Sequence, residues 1–372
     1  MSPDVIVVGG GVVGASIAYQ LAKRGATVTV IDRGEDPGPA TLASAGLLVP
    51  VAEGARQGPM FELGRESLRL FDALASELRE RTGVDVGYRR SGLIQVALNE
   101  AEVGRLRLRR SWDERAGISV TWMDRDRAQE VEPALGSTCQ AALFSADAHQ
   151  VDAPSLADAC LVAAVSLGAT VHRGATVDSL LIEGDRVAGV RCGLDETRAP
   201  EVVLANGAWA GSWSESLECR LPIRPVRGQI VSLRSDHLLP RNIIFNENGY
   251  LVRKHDGNIY VGATEEEVGF DSRPTLDGAA GLLQLALRLA PGLSQAAFHT
   301  MRVGLRPATP DRLPVIGRLS GWTGVSVATG HFRNGVLLAP ITGEIIADLI
   351  GYGRPRISID AFDPARFLVR AA

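Results

Sequence analysis

The first thirty residues predict a strand, a glycine turn, a helix and a second strand. Residues 5–8 form a continuous apolar run, and the glycines at 9–11 follow it directly. Across residues 12–24, apolar side chains recur every three or four positions, which is the period of one helix face. Residues 27–31 are rich in β-branched side chains and end at Asp32. This order of elements opens a parallel βαβ unit.

Later segments alternate between helical and strand patterns. The helical period predicts helices at residues 61–81, 100–116, 154–167, 276–289 and 336–350. Strand patterns fall near Thr170 and at residues 88–98, 177–182, 186–191, 201–204, 313–316 and 325–328. Residues 221–262 hold several short strands separated by turn dipeptides, so this region is predicted to be antiparallel. Residues 34–59 are rich in Gly, Pro, Ala and Ser, and an irregular segment of that length is usually functional.

Composition and charge narrow the classes of function. The chain has 372 residues, 45% hydrophobic and 22% charged, with a formal net charge of −4. This length accommodates a large core and more than one domain, and the acidic balance gives no electrostatic basis for binding nucleic acid or an anionic membrane. No uninterrupted apolar stretch of about 18 residues occurs, and the N-terminus lacks the basic segment of a signal peptide. Neither a membrane span nor secretion is expected.

The cysteines and histidines give no sign of a disulfide framework or a metal site. The six histidines show no metal-ligand spacing, so no metal is expected. Wide, unpatterned spacing of the four cysteines favours reduced thiols in a cytoplasmic protein. These cysteines are Cys139, Cys160, Cys192 and Cys219.

A dinucleotide-binding motif lies at the first turn. Gly9, Gly11 and Gly14 form the pattern G-x-G-x-x-G between the predicted strand and helix, and Asp32 ends the next strand. The first glycine permits a tight turn, the second a close approach of pyrophosphate, and the third close packing of helix on strand. Asp32 would accept hydrogen bonds from a ribose diol and repel a 2′-phosphate, which disfavours NADP. The motif alone does not choose between NAD and FAD, and it also occurs as a turn without a ligand.

Five further stretches carry a family resemblance. They are residues 43–48 (ASAGLL), 204–209 (LANGAW), 304–307 (GLRP), 311–317 (DRLPVIG) and 330–340 (GHFRNGVLLAP). With them the chain resembles, over nearly its whole length, the D-amino acid oxidase superfamily of FAD-dependent oxidoreductases. The most similar branch is the bacterial glycine oxidases of the ThiO type, which are linked to thiamine synthesis.

The resemblance implies an α/β fold with two domains. The first would be a Rossmann-like FAD-binding domain of the glutathione-reductase type, assembled from residues 1–82, 145–215 and 303–372. The second would be an α+β substrate-binding domain built on an antiparallel sheet, from residues 83–144 and 216–302. A homo-oligomer is also implied.

The resemblance further implies a noncovalent FAD. Small residues at 43–48 would run along the flavin, Val177 would contact the adenine through its backbone, and the last helix would direct its N-terminus at the flavin's pyrimidine side. No cysteine follows residue 219 and no histidine lies in residues 41–50, so the covalent links of some relatives are not expected. The implied cofactor-binding residues are Gly9, Gly11, Val12, Val13, Gly14, Asp32, Arg33, Ala40, Thr41, Ser44, Ala45, Gly46, Leu47, Val177, Gly207, Gly330, His331, Phe332, Arg333, Asn334, Gly335, Val336 and Leu337.

The resemblance assigns the substrate site to Tyr250, Arg306 and Arg333. Taken alone, Arg306 could be an ion-paired surface arginine and Tyr250 a half-buried sheet aromatic. By resemblance, Arg306 binds the substrate carboxylate through two parallel hydrogen bonds, and Tyr250 donates another. These two are the implied catalytic residues, while Arg333 would be an additional polar group near the flavin and substrate.

The implied reaction is oxidative deamination of glycine or another small amino acid, without a side-chain base. With the amine neutral, its lone pair drives a hydride from the α-carbon to flavin N5, leaving an imine, and O2 then reoxidises the flavin to give hydrogen peroxide. Arg302 and Leu47 stand where relatives often have tryptophan and methionine, which favours a substrate other than glycine, such as one with a polar side chain.

Several other functions remain open on the sequence. A D-amino acid or hydroxyproline dehydrogenase would pass the electrons to a carrier, and a cyanide-forming subunit shares the first imine step. Two other classes are a nicotinamide-dependent dehydrogenase, which the first βαβ unit alone would allow, and a noncatalytic flavoprotein subunit of a larger assembly. The presence of Arg306 and Tyr250 argues against the noncatalytic reading.

Overall fold

The structure is a computed structural model that describes residues 2–34, 38–50, 58–237 and 239–367. Parts of the irregular segment predicted at 34–59, namely residues 35–37 and 51–57, lie outside the described residues. So do residues 368–372, at the end of the predicted FAD-binding domain.

The helices predicted at residues 12–24, 61–81, 100–116, 154–167, 276–289 and 336–350 are present, and the short helices Pro39–Leu42 and Arg125–Val131 were not predicted. Four helices begin at a side-chain cap. Asn99, Asp124, Asp152 and Thr275 each accept a hydrogen bond from the backbone N–H three residues later, at the start of a helix. The helices of the described residues are α1 (Val12–Lys23), α2 (Pro39–Leu42), α3 (Pro59–Thr82), α4 (Glu100–Arg115), α5 (Arg125–Val131), α6 (Ala153–Ser166), α7 (Leu276–Leu289) and α8 (Gly335–Tyr352).

The strands are mostly short, apart from two long ones in the second half of the chain. They are β1 (Val5–Val8), β2 (Val28–Ile31), β3 (Leu47–Leu48), β4 (Leu93–Ala97), β5 (Thr121–Asp124), β6 (Ala141–Ser145), β7 (His149–Gln150), β8 (Thr170–His172), β9 (Ser179–Glu183), β10 (Arg186–Cys192), β11 (Asp195–Arg198), β12 (Glu201–Leu204), β13 (Arg224–Arg234), β14 (Ile243–Asn246), β15 (Gly249–Arg253), β16 (Ile259–Gly262), β17 (Ala297–Ala308), β18 (Val315–Arg318) and β19 (Val325–Thr329).

A six-stranded sheet in the order β18-β19-β12-β1-β2-β8 forms one half of the molecule. Its strands run parallel except β18, which pairs antiparallel with β19 at the edge. Val5 and Val7 belong to the core that helices α1, α3, α6 and α8 share, while Ile6 and Val8 belong to the core on the β9–β11 side. A sheet covered on both faces accounts for the continuous apolar run at residues 5–8.

Helix α8 is long and apolar enough to cross a membrane by length and composition. About 72% of it is buried inside the molecule, where it packs against α1 and α3. This burial accounts for its apolar sequence as that of a core helix.

An eight-stranded sheet in the order β17-β13-β16-β15-β14-β4-β6-β5 forms the other half. It is antiparallel except at the β14–β4 pair. Helix α7 covers one face. Tyr250 and Tyr260 belong to the other face, which packs against Ala45 and Val49. The predicted α/β fold with an antiparallel second sheet is therefore confirmed.

Several strands were not predicted or differ in extent, and two of them show why. The strand predicted at 88–98 is only Leu93–Ala97, because Gly92 adopts a left-handed φ of 67° directly before it. Strand β17 was not predicted, since Gly304 and Pro307 are unfavourable in strands. It is an edge strand, where a proline is tolerated. β17 also runs without a break through residue 303, where the predicted domain boundary falls.

Candidate active site

A cavity of about 1110 Å³ lies between the two halves of the molecule. That volume slightly exceeds the range of about 300–1,000 Å³ usual for small-molecule sites, so the cavity has room for a dinucleotide together with a small substrate. Its walls come from the end of β1, the segment 38–47, residues 175–179, the 3₁₀ helix Gly207–Ser214, strand β17 and residues 328–336.

The glycine turn after β1 has the geometry that its motif requires. Gly9 has a φ of 108°, and a Cβ there would lie 2.5 Å from the carbonyl oxygen of Ala205. A Cβ at Gly14 would lie 1.9 Å from the carbonyl oxygen of Gly9, so only glycine lets α1 pack this closely on the turn. Gly11 and Val13 line the cavity at the helix N-terminus, where backbone N–H groups lack partners within the helix. This end of the cavity suits a pyrophosphate.

Asp32 and Thr41 fix the turn from either side. Asp32 accepts the N–H of Gly10 on one carboxylate oxygen and the N–H of Gly34 on the other, at 2.8 Å. The hydroxyl of Thr41 accepts the N–H of Val12 at 3.1 Å. Each oxygen of Asp32 keeps capacity for a further hydrogen bond, which a ribose diol would use.

Arg33 and Trp209 form a stacked pair in the cavity wall. The Arg33 guanidinium lies 3.5 Å from the centroid of the Trp209 ring, and both residues line the cavity together with Val177. Trp209 was not predicted as a site residue, although it ends the recognised stretch 204–209. Its partner lies far away in the sequence, so only the resemblance could have drawn attention to it.

Residues 43–47, all small except Leu47, line the cavity. Gly46 has a φ of 67°, and a Cβ there would lie 1.9 Å from the carbonyl oxygen of Val151. Behind the segment, the Lys254 ammonium donates to the carbonyl oxygens of Ala45 at 2.7 Å and Val151 at 2.6 Å. Burial lowers the pKa of Lys254 to about 8. Sequence reasoning missed Lys254, because a lysine after a strand gives no sign of being buried.

The stretch before α8 forms the wall next to β17. His331 is buried and shares a hydrogen bond of 3.0 Å with the Thr342 hydroxyl. Burial lowers the pKa of His331 to about 3, so the ring is neutral. The N–H of Phe332 donates to the carbonyl oxygen of Pro307 at 2.8 Å, which ties the stretch to β17.

Arg306 lies flat across the neighbouring strand. A Cβ at Gly228 of β13 would lie 2.3 Å from the guanidinium of Arg306, so the side chain occupies the space that Gly228 leaves open. One guanidinium nitrogen donates to the carbonyl oxygens of Thr264 at 2.9 Å and Arg227 at 3.4 Å. Arg306 lines the cavity, where the rest of its planar group suits a carboxylate.

Tyr250 approaches the same place from the other side. It sits on β15 opposite Gly262 of β16, and a Cβ at Gly262 would lie 2.4 Å from the Tyr250 hydroxyl. The ring also stacks on Phe245 with centroids 6.5 Å apart. Two glycines on adjacent strands thus let Arg306 and Tyr250 cross the sheet within one cavity.

Arg333 and Arg302 differ in their relation to the cavity. Arg333 lines it and forms a long ion pair of 3.7 Å with Glu265, which also pairs with Arg312 at 3.0 Å. Arg302 donates to the carbonyl oxygen of Leu42 at 3.1 Å and is not among the lining residues. Leu47, the other departure from the family pattern, does line the cavity.

Most of the sequence-predicted site residues come together in this cavity. Tyr250 and Arg306 line it, as do most of the cofactor set. Those members are Gly9, Gly11, Val12, Val13, Asp32, Arg33, Ala40, Thr41, Ser44, Ala45, Gly46, Leu47, Val177, Gly207, His331, Phe332, Arg333, Gly335 and Val336. Four members do not line it, namely Gly14, Gly330, Asn334 and Leu337.

Two of these four have clear structural duties instead. Gly14 packs against the turn, and Leu337 packs over Gly64 of α3. The carbonyl oxygen of Leu337 accepts the Ser67 hydroxyl, which directs that residue into the helical core.

Comparisons with known proteins agree on one family. Residues 4–349 match the sequence model of a family described as FAD dependent oxidoreductase, DAO. The chain is 38% identical over 350 residues to glycine oxidase from Geobacillus kaustophilus, covering 93% of this chain and 92% of that protein. It is also 38% identical to the bifunctional protein ThiO/ThiG of Nostoc sp., covering 94% of this chain but only 53% of that longer protein. The crystal structure of glycine oxidase from Geobacillus kaustophilus superimposes with a TM-score of 0.93 at 34% identity, covering 100% of this chain and 99% of the other.

Proposed function

Because the chain belongs to the DAO family of FAD-dependent oxidoreductases, we propose that it oxidises glycine or another small amino acid to the imine, with O2 as the electron acceptor. FAD is the cofactor, and it is proposed to be bound noncovalently. The convergence of Arg306 and Tyr250 in the cavity that begins at the glycine turn is the observation that carries this proposal.

The residues present fit FAD. The glycine turn and the N-terminus of α1 suit the pyrophosphate, Asp32 suits a ribose, and the segment 43–47 offers mostly small residues, which a flat ring can approach closely. When bound, FAD supplies the two-electron acceptor for the C–H bond next to the amine and returns those electrons to O2. We assign its binding to the predicted residues that line the cavity.

We assign the catalytic roles to Arg306 and Tyr250. The guanidinium holds the substrate carboxylate by paired hydrogen bonds, and the Tyr250 hydroxyl donates to the same group, so that the α-carbon has a single orientation. Arg333 would contact the far end of a bound substrate, since it lines the cavity while paired at long range with Glu265. Displacement of water from the cavity by the bound substrate would favour the neutral form of its amine.

Anaerobic reduction of the bound flavin tests the substrate class. The oxidised flavin absorbance should bleach with members of a panel of glycine, sarcosine, D-alanine, D-proline and acidic D-amino acids. Steady oxygen uptake with the same substrate would support the oxidase. Turnover with a dye alone would instead indicate a D-amino acid or hydroxyproline dehydrogenase, and no bleaching by any amine would indicate a noncatalytic flavoprotein.

We propose thiamine synthesis as the pathway, in the cytoplasm. The likeness to a ThiO/ThiG protein supports this assignment. Loss of thiamine-independent growth in a deletion strain, restored by the active gene but not by Arg306→Ala, is the expected result. A homo-oligomer is proposed as well, and light scattering of the holoenzyme would measure its mass.

The two-domain division is also a proposal. Residues 1–82, 145–215 and 303–372 would bind FAD, and residues 83–144 and 216–302 would bind the substrate. Hydrogen exchange should show that removal of FAD lowers protection mainly in the first set. Because β17 is continuous through residue 303, we expect its two ends to respond together.

A further inference from the structure

A polar cluster around two buried side chains, Arg227 and Gln229, lies on the α7 face of the eight-stranded sheet, opposite the cavity. We propose that this cluster is a positioning device for Arg306, which it holds through backbone carbonyl groups. We define the polar cluster as Arg227, Gln229, Thr264, Glu266 and Thr275. The inference rests on the proposed role of Arg306 in binding the substrate carboxylate.

The cluster and the guanidinium meet at two carbonyl oxygens. Arg306 donates to the carbonyl oxygens of Thr264 and Arg227, and both of these residues belong to the polar cluster. The backbone of Glu266 pairs with Arg227 in both directions, with N–O distances of 2.9 Å and 3.0 Å. One acceptor, the Arg227 carbonyl, lies on β13 itself. The position of the other, the Thr264 carbonyl, is set by how residues 264–266 dock on β13.

Side chains of the cluster determine that docking. The Thr264 hydroxyl accepts the N–H of Gln229 at 2.9 Å and donates to Glu266 at 2.6 Å. Glu266 also accepts from the Gln229 amide at 2.7 Å and forms a salt bridge with Arg227. The Gln229 amide oxygen in turn accepts the N–H of Thr275, the cap of α7, at 2.9 Å. The chain of contacts runs from the start of α7 to Thr264, whose carbonyl oxygen accepts a hydrogen bond from Arg306.

Burial makes the arrangement specific. Gln229 is 0% exposed and Arg227 is 5% exposed, so their polar groups must find partners within the protein. A fully satisfied buried network restricts the backbone to a single arrangement, because each alternative leaves a donor or acceptor unpaired. Apolar side chains would cover α7 equally well but would not fix the orientation of a carbonyl group.

Thr264→Val tests the inference with little change in side-chain shape. It removes the acceptor for the Gln229 N–H and the donor to Glu266. We expect KM for the amino-acid substrate and Kd for acetate, a carboxylate without an amine, to rise in parallel by about 10-fold. The value of kcat should change by less than about twofold, because the flavin end is untouched. Thr264→Ser should restore wild-type values, and Thr300→Val, the same change on β17 away from the cluster, should leave them unaltered.

A double-mutant cycle separates positioning from general damage. If Thr264 acts through Arg306, Thr264→Val should have no further effect on KM or Kd in an Arg306→Ala background. Equal effects in both backgrounds, or an unchanged Kd for acetate in Thr264→Val, would overturn the positioning role. If Arg306→Ala itself leaves substrate and acetate binding unchanged, the proposed function fails instead. Glu266→Gln, measured in the same way, gives the same decision if Thr264→Val does not retain flavin.

Discussion

The two ends of the cavity are built by different means. At the nucleotide end, the glycine turn, Asp32 and the start of α1 are close in sequence, and their contacts are mainly backbone groups and missing side chains. At the substrate end, Arg306 and Tyr250 come from separate strands and cross the sheet over glycines of two further strands. A local device can be read from the spacing of residues, whereas a device assembled across strands depends on register.

The largest expected effect is at the nucleotide end. In Gly14→Ala the new Cβ would lie 1.9 Å from the carbonyl oxygen of Gly9, so α1 must move away from the turn. We expect loss of bound FAD and a fall of about 3 kcal/mol or more in the free energy of unfolding. Flavin absorbance after purification and urea unfolding measure both. Gly104→Ala, on exposed α4 with nothing near its Cβ, is the matched control and should retain full flavin content.

Removal of the Arg306 guanidinium should weaken substrate binding without affecting FAD binding. Arg306→Ala is expected to raise KM by about 1000-fold, since it truncates one partner of a desolvated charge pair. The protein should stay yellow, because no nucleotide contact is lost. Arg302→Ala is the control on the same face of β17, and its effect on KM should be far smaller. Unchanged affinity in Arg306→Ala would remove this residue from its proposed role.

A methyl group introduced at Gly228 can displace the Arg306 guanidinium without removing it. A Cβ at Gly228 would occupy the place of the Arg306 guanidinium, which is the flexible end of its side chain. Gly228→Ala should therefore fold and bind FAD, yet raise KM by about 100-fold through misplacement of the guanidinium. Steady-state kinetics beside Gly281→Ala, which meets nothing within 4 Å, would check this. Equal KM values for the two variants would show that Arg306 tolerates a shift.

The smallest effect concerns acid stability at the wall between the two ends. Burial lowers the pKa of His331 to about 3. Below pH 6.5 the imidazole of His331 is therefore protonated in the unfolded chain but not in the folded protein, so the free energy of unfolding falls as the pH decreases. From pH 7.5 to 5.5, the free energy of unfolding should drop by about 1.4 kcal/mol more in the wild type than in His331→Gln. Urea unfolding at the two pH values measures this difference. An equal loss of unfolding free energy in the wild type and in His331→Gln would argue against a buried neutral ring.

Sequence reasoning reached the two ends unequally. Gly9, Gly14 and Asp32 were predictable, because their spacing in the sequence is enough to indicate their roles in a dinucleotide-binding turn. Arg306 and Tyr250 were reached through family resemblance, since nothing in the neighbouring sequence indicates that they line one cavity. Gly228 and Gly262 went unnoticed, because the need for glycine arises only from a side chain on the adjacent strand.

The same contrast applies to the fold. The parallel unit was predictable from apolar runs covered on both faces, as at residues 5–8. Strand β17 was missed, because pairing with β13 overrides the weak strand preference of its own sequence.

The strand order of the six-stranded sheet also has a consequence for synthesis. β1 pairs with β12, and β12 pairs with β19. The first strand to be synthesised can therefore complete its pairing only after more than half of the chain has been made. Contacts so distant in sequence slow folding, and they leave apolar strands unpaired and exposed during translation. We expect nascent chains that stop before α8 to be targets for chaperones or proteases, and flavin capture to be among the last events in maturation.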